Sequence, residues 1–282
     1  MSKIEILMST YNGAKFVEEQ IKSIINQTFK SWILKVRDDG STDNTLEILH
    51  TYSKKFPNKI FIIKDNRHLG VSQGYNKLLI NSVKDYIMFC DQDDIWLPFK
   101  IEISYEKIKQ LEKKYGKHTP ILVFTDLIVV DENLNIISKS YWKYSKLYYK
   151  NVNYPNFLLR NIASGNTIIM NRAAVNLCIP IPTCAILHDW WCALVVSVFG
   201  KIDFIDKPTL MYRQHKGNDL GAKKWSISLA LRRIHKMEDF NKNLDLAIKQ
   251  AECFFCIYST NLKKEVKEVI EKFLVIKKNE YN

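Results

Sequence analysis

Three aspartates stand together directly after a short apolar run, and their type and spacing suit the binding of a divalent cation. Residues 86–90 lead straight into Asp91, Asp93 and Asp94. Carboxylates this close repel one another and raise each other's pKa values unless a positive partner or water compensates them. Hard oxygen ligands suit Mg²⁺ or Mn²⁺, which take their remaining ligands from water and substrate phosphates. The acidic loop, residues 91–94, therefore predicts a substrate that carries a nucleoside diphosphate.

Polar clusters also follow the other apolar runs in the first third of the chain. The predicted strands are residues 3–8, 32–37, 59–64 and 86–90, and the predicted helices between them are residues 16–25, 45–56 and about 74–81. Thr10 follows the first strand, Asp38 and Asp39 follow the second, and Gly70 follows the third. Strands that alternate with helices form parallel sheets, and ligands bind at the carboxyl ends of such strands. We therefore expect all of these clusters to line one crevice.

The rest of the chain extends this α/β pattern and then changes character. The predicted elements are a helix at 99–115, a strand at 121–130, an aromatic and Lys-rich stretch at 141–154, a strand at 167–170, a helix ending at Phe199, and strands at 202–205 and 211–215. We predict an α/β domain at 1–220 with a mostly parallel, Rossmann-like sheet flanked by helices. Residues 221–282 are expected to form a basic helical appendage.

Bulk composition indicates an ordinary globular protein with an affinity for negative charge. The 282 residues are 46% hydrophobic and 26% charged, with a formal net charge of +12. That charge favours nucleic acid, an anionic membrane surface or phosphorylated substrates as partners. The start of the chain has no signal segment, and no run of about 20 apolar residues is present to span a bilayer. A cytoplasmic protein is expected.

Six cysteines are scattered through apolar or helical stretches without a regular framework. This distribution predicts reduced, buried thiols. Cys253 and Cys256 have the spacing of a redox pair, but no second Cys or His pair accompanies them and the surrounding stretch is typical of an amphipathic helix. Neither a disulfide nor a metal site is expected from these residues.

Four motifs, in order and spacing, carry a family resemblance over about residues 3–216. They are Ser9-Thr10-Tyr11-Asn12-Gly13, Asp38-Asp39-Gly40-Ser41, Asp91-Gln92-Asp93-Asp94 and His188-Asp189-Trp190-Trp191. Together they resemble the family-2 inverting glycosyltransferases with the GT-A fold. Asp-Gln-Asp-Asp-Ile-Trp, combined with His-Asp-Trp-Trp and Tyr-Arg-Gln-His, is similar to bacterial rhamnosyltransferases of surface polysaccharide synthesis. The GT-A fold and a nucleotide-sugar donor are what this resemblance implies. It also implies a nucleotide-sugar half at about 1–98 and an acceptor half at about 99–220.

The resemblance assigns the acidic loop to a Mg²⁺ or Mn²⁺ ion. Asp93 would bind the ion directly, Asp91 would contact the ribose or the water shell of the ion, and Asp94 would orient the site. His215 matches a late histidine that contacts metal or diphosphate in many relatives. Neutralisation of the departing diphosphate would be the main contribution of the metal.

Nucleotide contacts are also implied by the family motifs. Thr10, Tyr11 and Asn12 would line the base and ribose, and Asp39 would accept a hydrogen bond from the N–H of a pyrimidine. An ordinary strand-to-helix turn has the same sequence as the Asp39 motif. Arg213 would pair with phosphate.

Asp189 is the candidate general base on the acceptor side. It matches the acidic residue that precedes the acceptor-side helix in the family, where the helix dipole stabilises its charge. The alternative is a helix N-cap, and this reading is favoured if the residue is considered without the upstream motifs. His188 would assist the base or pack as an ordinary histidine.

One departure from the family pattern concerns the helix after the third strand. Many relatives have an Arg-Asn pair there, whereas this chain has Gly74, Tyr75 and Asn76. A diphosphate contact from this element is therefore in doubt, and Asn76 becomes the candidate nucleotide ligand. Rhamnosyl-type relatives tend to have Gly-aromatic-Asn at this place, which favours dTDP-L-rhamnose as donor, with a UDP-sugar as the second candidate. The acceptor would be a saccharide or a lipid-linked saccharide.

A basic stretch near the end of the sequence suggests a membrane surface. Residues 223–236 carry five Lys or Arg residues beside Trp225 and several aliphatic residues. Such a stretch lies in a membrane interface or packs as a helix on the catalytic domain. A nucleic-acid-binding protein is the alternative from a different class, but the acidic loop would repel a phosphate backbone and no recognition helix is evident.

Overall fold

A mixed β-sheet flanked by helices forms the body of the protein. The computed structural model describes residues 3–63, 65, 67–216, 222 and 237–275. The strands are β1 (Ile4–Thr10), β2 (Trp32–Asp38), β3 (Ile60–Ile63), β4 (Tyr86–Cys90), β5 (Ile95–Trp96), β6 (Ile121–Val130), β7 (Ile136–Ser138), β8 (Ile169–Asn171) and β9 (Lys201–Arg213). The helices are α1 (Val17–Ile25), α2 (Thr45–Lys55), α3 (Gly70–Ile80), α4 (Lys100–Tyr115), α5 (Tyr141–Tyr144), α6 (Tyr154–Leu159), α7 (Arg172–Cys178), α8 (His188–Phe199), α9 (Met237–Tyr258) and α10 (Lys264–Val275).

The sheet order places the polar clusters at one edge. Its strands run β3-β2-β1-β4-β8-β6-β9-β5, with β7 paired to β6. Strands β1 to β4 are parallel, and β8 is antiparallel to both of its neighbours. Thr10 lies opposite Asp38 in the register, and Met8 lies opposite Cys90. The residues that follow these strands therefore emerge side by side, as predicted from the sequence.

Side chains that point alternately to the two faces of the sheet produce a core on each face. Leu7 belongs to one hydrophobic cluster, whereas Ile6 and Met8 belong to the other, because successive side chains of a strand point to opposite faces. The cluster that contains Ile6 is covered by α1, α2 and α4. The cluster that contains Leu7 is covered by α3, α7, α8 and α9. Both faces of the central strands are thus shielded from water, which explains their nearly continuous apolar sequences.

Two predicted element boundaries are wrong for identifiable physical reasons. Helix α3 begins at Gly70 rather than near Gly74, because Asp39 accepts hydrogen bonds from Leu69 N and Gly70 N and caps the first turn from outside the segment. The two short strands predicted after Phe199 form one strand, β9. It pairs along β6, and register shifts around Asp126 accommodate Pro208, which has no N–H to donate.

The C-terminal helices pack onto the sheet domain. Ala251 and Phe254 of α9 lie in the same hydrophobic cluster as Trp191 of α8, and the Phe254 and Trp191 rings are 6.1 Å apart. Ile270 and Phe273 of α10 join this cluster. The described part of the predicted appendage therefore packs on the domain through the apolar faces of its helices.

The expectation of six reduced thiols is wrong for two of them. Cys184 and Cys253 form a disulfide, although 69 residues separate them in the chain. The contact arises because the segment before α8 lies along α9, where Ile186 N donates to Gln250 Oε1 at 2.9 Å. Sequence spacing carries no sign of this long-range approach. Cys256, the other member of the predicted redox spacing, is exposed and free.

The basic stretch at 223–236 lies outside the described residues. Helix α9 starts directly after it, at Met237. In the part of the chain that the structure describes, none of the helices combines the length and the apolar character needed to cross a bilayer.

Candidate active site

The loops after β1 and β2 are joined by side-chain hydrogen bonds. Thr10 Oγ1 donates to Asp38 Oδ1 at 2.8 Å, and Asn12 Oδ1 accepts from Thr42 N at 2.8 Å. Asp38 also accepts from Ser41 N and Ser41 Oγ. The side chains of Thr10 and Asn12 thus build the loops, whereas Tyr11 is 48% exposed at the rim. Of the three residues predicted to line the base and ribose, Tyr11 offers an accessible ring face.

Gln92 connects the first motif to the acidic loop, a role that the sequence analysis missed. Its Nε2 donates to Tyr11 O and its Oε1 accepts from Tyr11 N, both at 3.0 Å. A Cβ at Gly13 would lie 2.1 Å from Gln92 Oε1, so a side chain there would displace the Gln92 amide from Tyr11. A paired amide between two loops at neighbouring strand ends fixes the position of Tyr11 relative to the aspartates.

Asp39 is already supplied with hydrogen-bond donors by the protein. Its Oδ1 accepts from Arg37 Nη1 at 2.5 Å and from Leu69 N at 2.7 Å, and Oδ2 accepts from Gly70 N at 2.8 Å. Burial would raise the pKa of Asp39, but the hydrogen bonds from Leu69, Arg37 and Gly70 outweigh it and lower the pKa. The predicted contact with a pyrimidine N–H stays a prediction, since a carboxylate has acceptor sites beyond those used by these donors. Asp39 caps α3 and pairs with Arg37.

His68 stands beside the exposed face of Tyr11. The two ring centroids are 5.1 Å apart, and His68 Nδ1 lies 2.9 Å from Asp39 O. Asp39 thus positions the aromatic edge of the crevice through His68 and the start of α3. Aromatic rings at this rim are suited to contact the flat face of a nucleobase.

Asp93 and His215 lie next to each other in the crevice. The resemblance assigns Asp93 to the metal and His215 to the metal or the diphosphate. His215 Nε2 lies 2.8 Å from Asp93 Oδ2, and the His215 ring packs 4.6 Å from the Phe16 ring. Asp91 accepts a hydrogen bond from the Tyr75 hydroxyl at 3.1 Å and remains half-buried. Two of the predicted metal ligands, from opposite ends of the domain, are therefore adjacent.

Asp94 lies beneath the loop and is fully buried. Its Oδ2 accepts from Asn166 Nδ2 at 2.5 Å, and its Oδ1 accepts from Arg213 N at 3.3 Å. Burial, followed by repulsion from Asp93 and Asp91, raises the pKa of Asp94 well above its usual value. The predicted orienting role of Asp94 stays a prediction.

Arg213 supports the acidic loop from behind. Its Nε donates to Asp93 O at 2.9 Å, Nη1 donates to Glu132 O at 2.9 Å, and Nη2 pairs with Glu19 at 2.5 Å. The guanidinium also lies 4.7 Å from the Phe16 ring centroid. These bonds direct the guanidinium into the protein, and the predicted phosphate contact stays a prediction. The carboxylate of Asp93 itself is left facing His215.

Asn76 likewise has a structural role. Its Oδ1 accepts from Ile181 N at 2.9 Å, and its Nδ2 donates to Gln73 Oε1 at 3.0 Å. Both ends of the amide are used to attach the segment before α8 to α3. The predicted nucleotide contact from Asn76 stays a prediction.

Tyr75, the middle residue of the departure from the family pattern, reaches the acidic loop. Its hydroxyl lies 2.7 Å from Cys90 O and 3.1 Å from Asp91 Oδ1. Burial raises the pKa of Tyr75 well above its usual value, so the hydroxyl stays protonated and acts as a donor. Gly74 permits this approach, because a Cβ there would lie 2.8 Å from Ser9 Oγ.

We expect Tyr75→Phe to lower the free energy of unfolding by about 1–3 kcal/mol, because a buried acceptor loses its donor. Chemical denaturation measures this change. Tyr115→Phe is the control, because Tyr115 is 38% exposed. Equal stability of Tyr75→Phe and the wild type would contradict a structural role for this hydroxyl.

Asp189 lies in the first turn of α8 and is buried. Its Oδ2 accepts from Gly165 N at 2.7 Å, and its Oδ1 accepts from Trp190 N at 2.6 Å. Burial raises the pKa of Asp189 to about 6, although these backbone hydrogen bonds and one from the Asn161 side chain oppose the shift. An N-cap accepts from the second or third N–H of its helix. The residue at the cap position of α8 is Leu187, whereas Asp189 lies inside the first turn, where it accepts from Trp190 N, the third N–H of the helix.

His188 is an uncharged, buried neighbour of Asp189. Its ring stacks on Tyr75 at 3.8 Å and meets Phe89 edge-on at 4.7 Å. Burial lowers the pKa of His188 to about 3. Neither ring nitrogen has a hydrogen-bond partner among the described residues. His188 therefore packs against aromatic rings. A buried imidazole with unpaired nitrogens is also typical of a functional site.

One turn connects the acidic loop to Asp189. Gly165 donates to Asp189, and Asn166, the next residue, donates to Asp94. Tyr141 and Tyr212 complete this wall of the crevice, with ring centroids 6.2 Å apart. The structure therefore places the acidic loop and Asp189, here called the two acidic stations, on either side of a two-residue link. This turn carried no motif by which sequence reasoning could have found it.

The donor set suits a divalent ion that also binds a substrate diphosphate. Within the described ranges, no group of three or more His, Cys, Asp or Glu side chains converges in the manner of a complete metal cage. Asp93 and His215 form an oxygen and nitrogen pair at 2.8 Å, with Asp91 in the same loop. Mg²⁺ is commonly held by one or two carboxylates plus phosphates and water. The residues present fit this mode of binding.

Comparisons with known proteins agree with this geometry. The family model described as Glycosyl transferase family 2 matches residues 5–187. The dTDP-rhamnosyl transferase RfbG of Shigella flexneri is 30% identical over 235 residues, which are 76% of this chain and 74% of that protein.

Solved structures show the same fold at low sequence identity. The crystal structure of residues 1–349 of S. aureus TarS in complex with UDP-GlcNAc has a TM-score of 0.64 and 19% identity, over 96% of this chain and 71% of that one. The mannosyltransferase PcManGT of Pyrobaculum calidifontis, in complex with GDP-Man and Mn²⁺, has a TM-score of 0.62 and 14% identity, over 97% and 69%. The GT-A fold expected from the motifs is confirmed. This chain belongs to glycosyl transferase family 2.

Proposed function

We propose that the enzyme is a metal-dependent, inverting glycosyltransferase that uses a dTDP-activated 6-deoxyhexose such as dTDP-L-rhamnose. The observation that carries the proposal is the link of Asp94 and Asp189 through adjacent residues of one turn. Displacement with inversion requires a group that stabilises the leaving diphosphate and a base on the opposite face of the sugar. Two acidic stations on either side of one turn meet this requirement.

Asp189 is proposed to remove the proton from the acceptor hydroxyl. Its pKa of about 6 leaves it ionised at neutral pH while keeping it more basic than an ordinary aspartate. Two backbone N–H groups, those of Gly165 and Trp190, hold the carboxylate in one orientation. A base fixed in this way is pre-oriented toward an incoming hydroxyl.

Asp93, His215 and Asp91 are proposed to hold Mg²⁺ or Mn²⁺ together with the diphosphate. The ion would supply charge neutralisation at the leaving group. Asp94 and Arg213 keep the loop in place from below, and Tyr75 holds Asp91. The protein thus fixes the carboxylates before any ligand arrives, which avoids reorganisation during the reaction.

The donor assignment draws on the aromatic rim and on the relatives. Tyr11 and His68 are proposed to contact the pyrimidine of the donor. The likeness to a dTDP-rhamnosyl transferase favours a dTDP-sugar. The likeness in fold to a protein solved with UDP-GlcNAc keeps a UDP-sugar as the second candidate.

A negatively charged acceptor fits the composition around the acceptor side. From Asn133 to His188 the sequence contains no Asp or Glu but six Lys or Arg residues. Lys143, Lys146 and Lys150 of this stretch are exposed. We propose a lipid-linked saccharide acceptor with a phosphate group, at the cytoplasmic face of a membrane, where residues 223–236 would add attraction to anionic lipid. Cell-surface polysaccharide synthesis is the process in which such an acceptor is used.

A thermal-shift panel tests the donor and metal assignments together. The panel contains dTDP, UDP and GDP and their sugar conjugates, each with and without Mn²⁺. A ligand at 100 times its Kd stabilises the folded protein by about 2.7 kcal/mol. We expect dTDP compounds with Mn²⁺ to raise Tm most. Equal shifts with every nucleotide, or shifts that ignore Mn²⁺, would contradict the proposal.

A further inference from the structure

The turn between the two acidic stations has contacts that a simple connection does not need. Gly165 and Asn166, here called the bridging turn, lie in a short 3₁₀ helix before β8. Asn166 is 1% exposed and Gly165 is buried. Asn166 Nδ2 donates to Asp94 Oδ2 at 2.5 Å, and Gly165 N donates to Asp189 Oδ2 at 2.7 Å. Two buried carboxylates thus depend on adjacent residues for their orientation.

Gly165, at one end of the bridging turn, lies close against Asp189 and His188. A Cβ at Gly165 would lie 3.2 Å from Asp189 Oδ2 and 3.1 Å from His188 Nε2. These distances are tighter than ordinary contact, so a side chain at 165 would displace the base or the imidazole. The absence of a side chain allows the backbone N–H to approach Asp189 directly.

Polar atoms around the bridging turn remain without protein partners. Asn166 Oδ1 and both ring nitrogens of His188 are buried and have no hydrogen-bond partner among the described residues. Leaving a buried polar atom unpaired costs free energy in the folded state. These three unpaired buried polar atoms beside the two acidic stations are typical of a functional site, because they do not stabilise the fold.

We propose that the bridging turn is a positioning device that sets the separation between the metal-binding loop and the catalytic base. This inference rests on the proposed function and extends it to residues that touch neither metal nor acceptor. Because both donors belong to one rigid turn, a displacement at the Asp94 end moves the donor at the Asp189 end, and the reverse also holds. The geometry of in-line transfer is then fixed by one element.

Two variants test the coupling by perturbing opposite ends. Asn166→Ala removes the donor to Asp94, and Gly165→Ala crowds Asp189. The first readout is the affinity for Mn²⁺ in the presence of dTDP or UDP, measured by electron paramagnetic resonance. The second is the pKa of Asp189, followed by carboxyl ¹³C NMR and assigned by the signal lost in Asp189→Asn. Neither readout uses turnover, so a failure of glycosyl transfer would be seen separately.

Each variant is expected to change both readouts. Loss of a supporting contact outside the ligand shell weakens metal binding by about 10- to 100-fold, and we expect at least the lower value for both variants. The pKa of Asp189 should rise in both, because the hydrogen bond from Gly165 N favours the charged form. Among the described residues, the other titratable groups close to Asp189 are His188 and Cys192 on α8 and Tyr141 on α5. They are unchanged in these variants.

Thr167→Val is the matched control. Thr167 Oγ1 donates to Ser164 O at 2.6 Å, so the variant removes a hydrogen bond from the same turn without a contact to either carboxylate. It should leave both readouts as in the wild type. The proposal is overturned if each variant changes only the end it touches, or if Thr167→Val has the same effect. Should Gly165→Ala fail to fold, the effect of Asn166→Ala on the pKa of Asp189 decides the question.

Discussion

Asp189→Asn is expected to reduce kcat by about 10²- to 10⁴-fold while leaving the protein folded. The loss follows from removal of a positioned general base, which contributes a factor of this size. Asparagine has nearly the same volume and keeps one acceptor oxygen, so packing in the first turn of α8 is retained. Initial rates with the identified donor and acceptor measure the effect. Asp203→Asn is the control, because Asp203 is an aspartate of β9 that pairs with Lys107 on the outside.

The pH dependence of kcat provides a second test of the role of Asp189. Because burial raises the pKa of Asp189 to about 6, kcat should fall as the pH drops through 6 and reach a plateau above it. The contribution of Asp189 to the free energy of unfolding changes with pH in the opposite direction to kcat. The folded pKa exceeds the ordinary value, so the protonated residue stabilises the fold at low pH, and this contribution is lost as the pH rises toward 6. At pH 7 to 8, Asp189→Asn should therefore unfold no more readily than the wild type. A variant with full turnover, or an acid limb near pH 4, would remove Asp189 from the mechanism.

The edge of the sheet where the site forms was predictable from the sequence. Polar residues directly after buried strands identified the end of β1, the end of β2 and the acidic loop, because parallel strands direct their carboxyl ends to one side. The register of Thr10 opposite Asp38 realises this expectation. The pairing of Asp93 with His215 needed the family resemblance as well, since 122 residues separate them.

The assignment of Asp39 shows a local signal that was available and not used. Residues i and i+2 of a strand project to the same face, so Arg37 on β2 was placed to pair with Asp39. The resulting ion pair has a distance of 2.5 Å. The contact of Asp39 with Arg37 was thus foreseeable from the strand pattern, and the contact of Asp39 with a pyrimidine N–H stays a prediction.

The bridging turn and the disulfide were beyond the reach of local patterns. Asn166 and Asp94 are 72 residues apart, and Cys184 and Cys253 are 69 residues apart. Both contacts depend on how β8 and α9 pack, which is determined by the whole hydrophobic core rather than by nearby residues. Single side chains that act across such distances have no periodic signature in the sequence.

Asp93 and Asp94 are neighbours with different expected roles, and their variants should separate function from folding. Asp94 is fully buried with two hydrogen bonds, so Asp94→Ala is expected to destabilise the protein by about 3–5 kcal/mol. Asp93 faces His215 at the crevice, so Asp93→Ala should change Tm by no more than about 3 °C. Thermal unfolding of the two variants makes this comparison.

Asp93→Ala is expected to reduce transfer by about 10³-fold, the equivalent of about 4 kcal/mol of lost stabilisation of the leaving diphosphate. Chelation of divalent ions should abolish wild-type activity, and added Mn²⁺ should restore it. The same addition should leave Asp93→Ala inactive, because the loss lies in the ligand and not in the supply of the ion. His215→Gln, which changes the partner of Asp93, should weaken Mn²⁺ activation to a smaller extent. Wild-type turnover in Asp93→Ala, or activity that survives chelation, would assign leaving-group stabilisation to other residues.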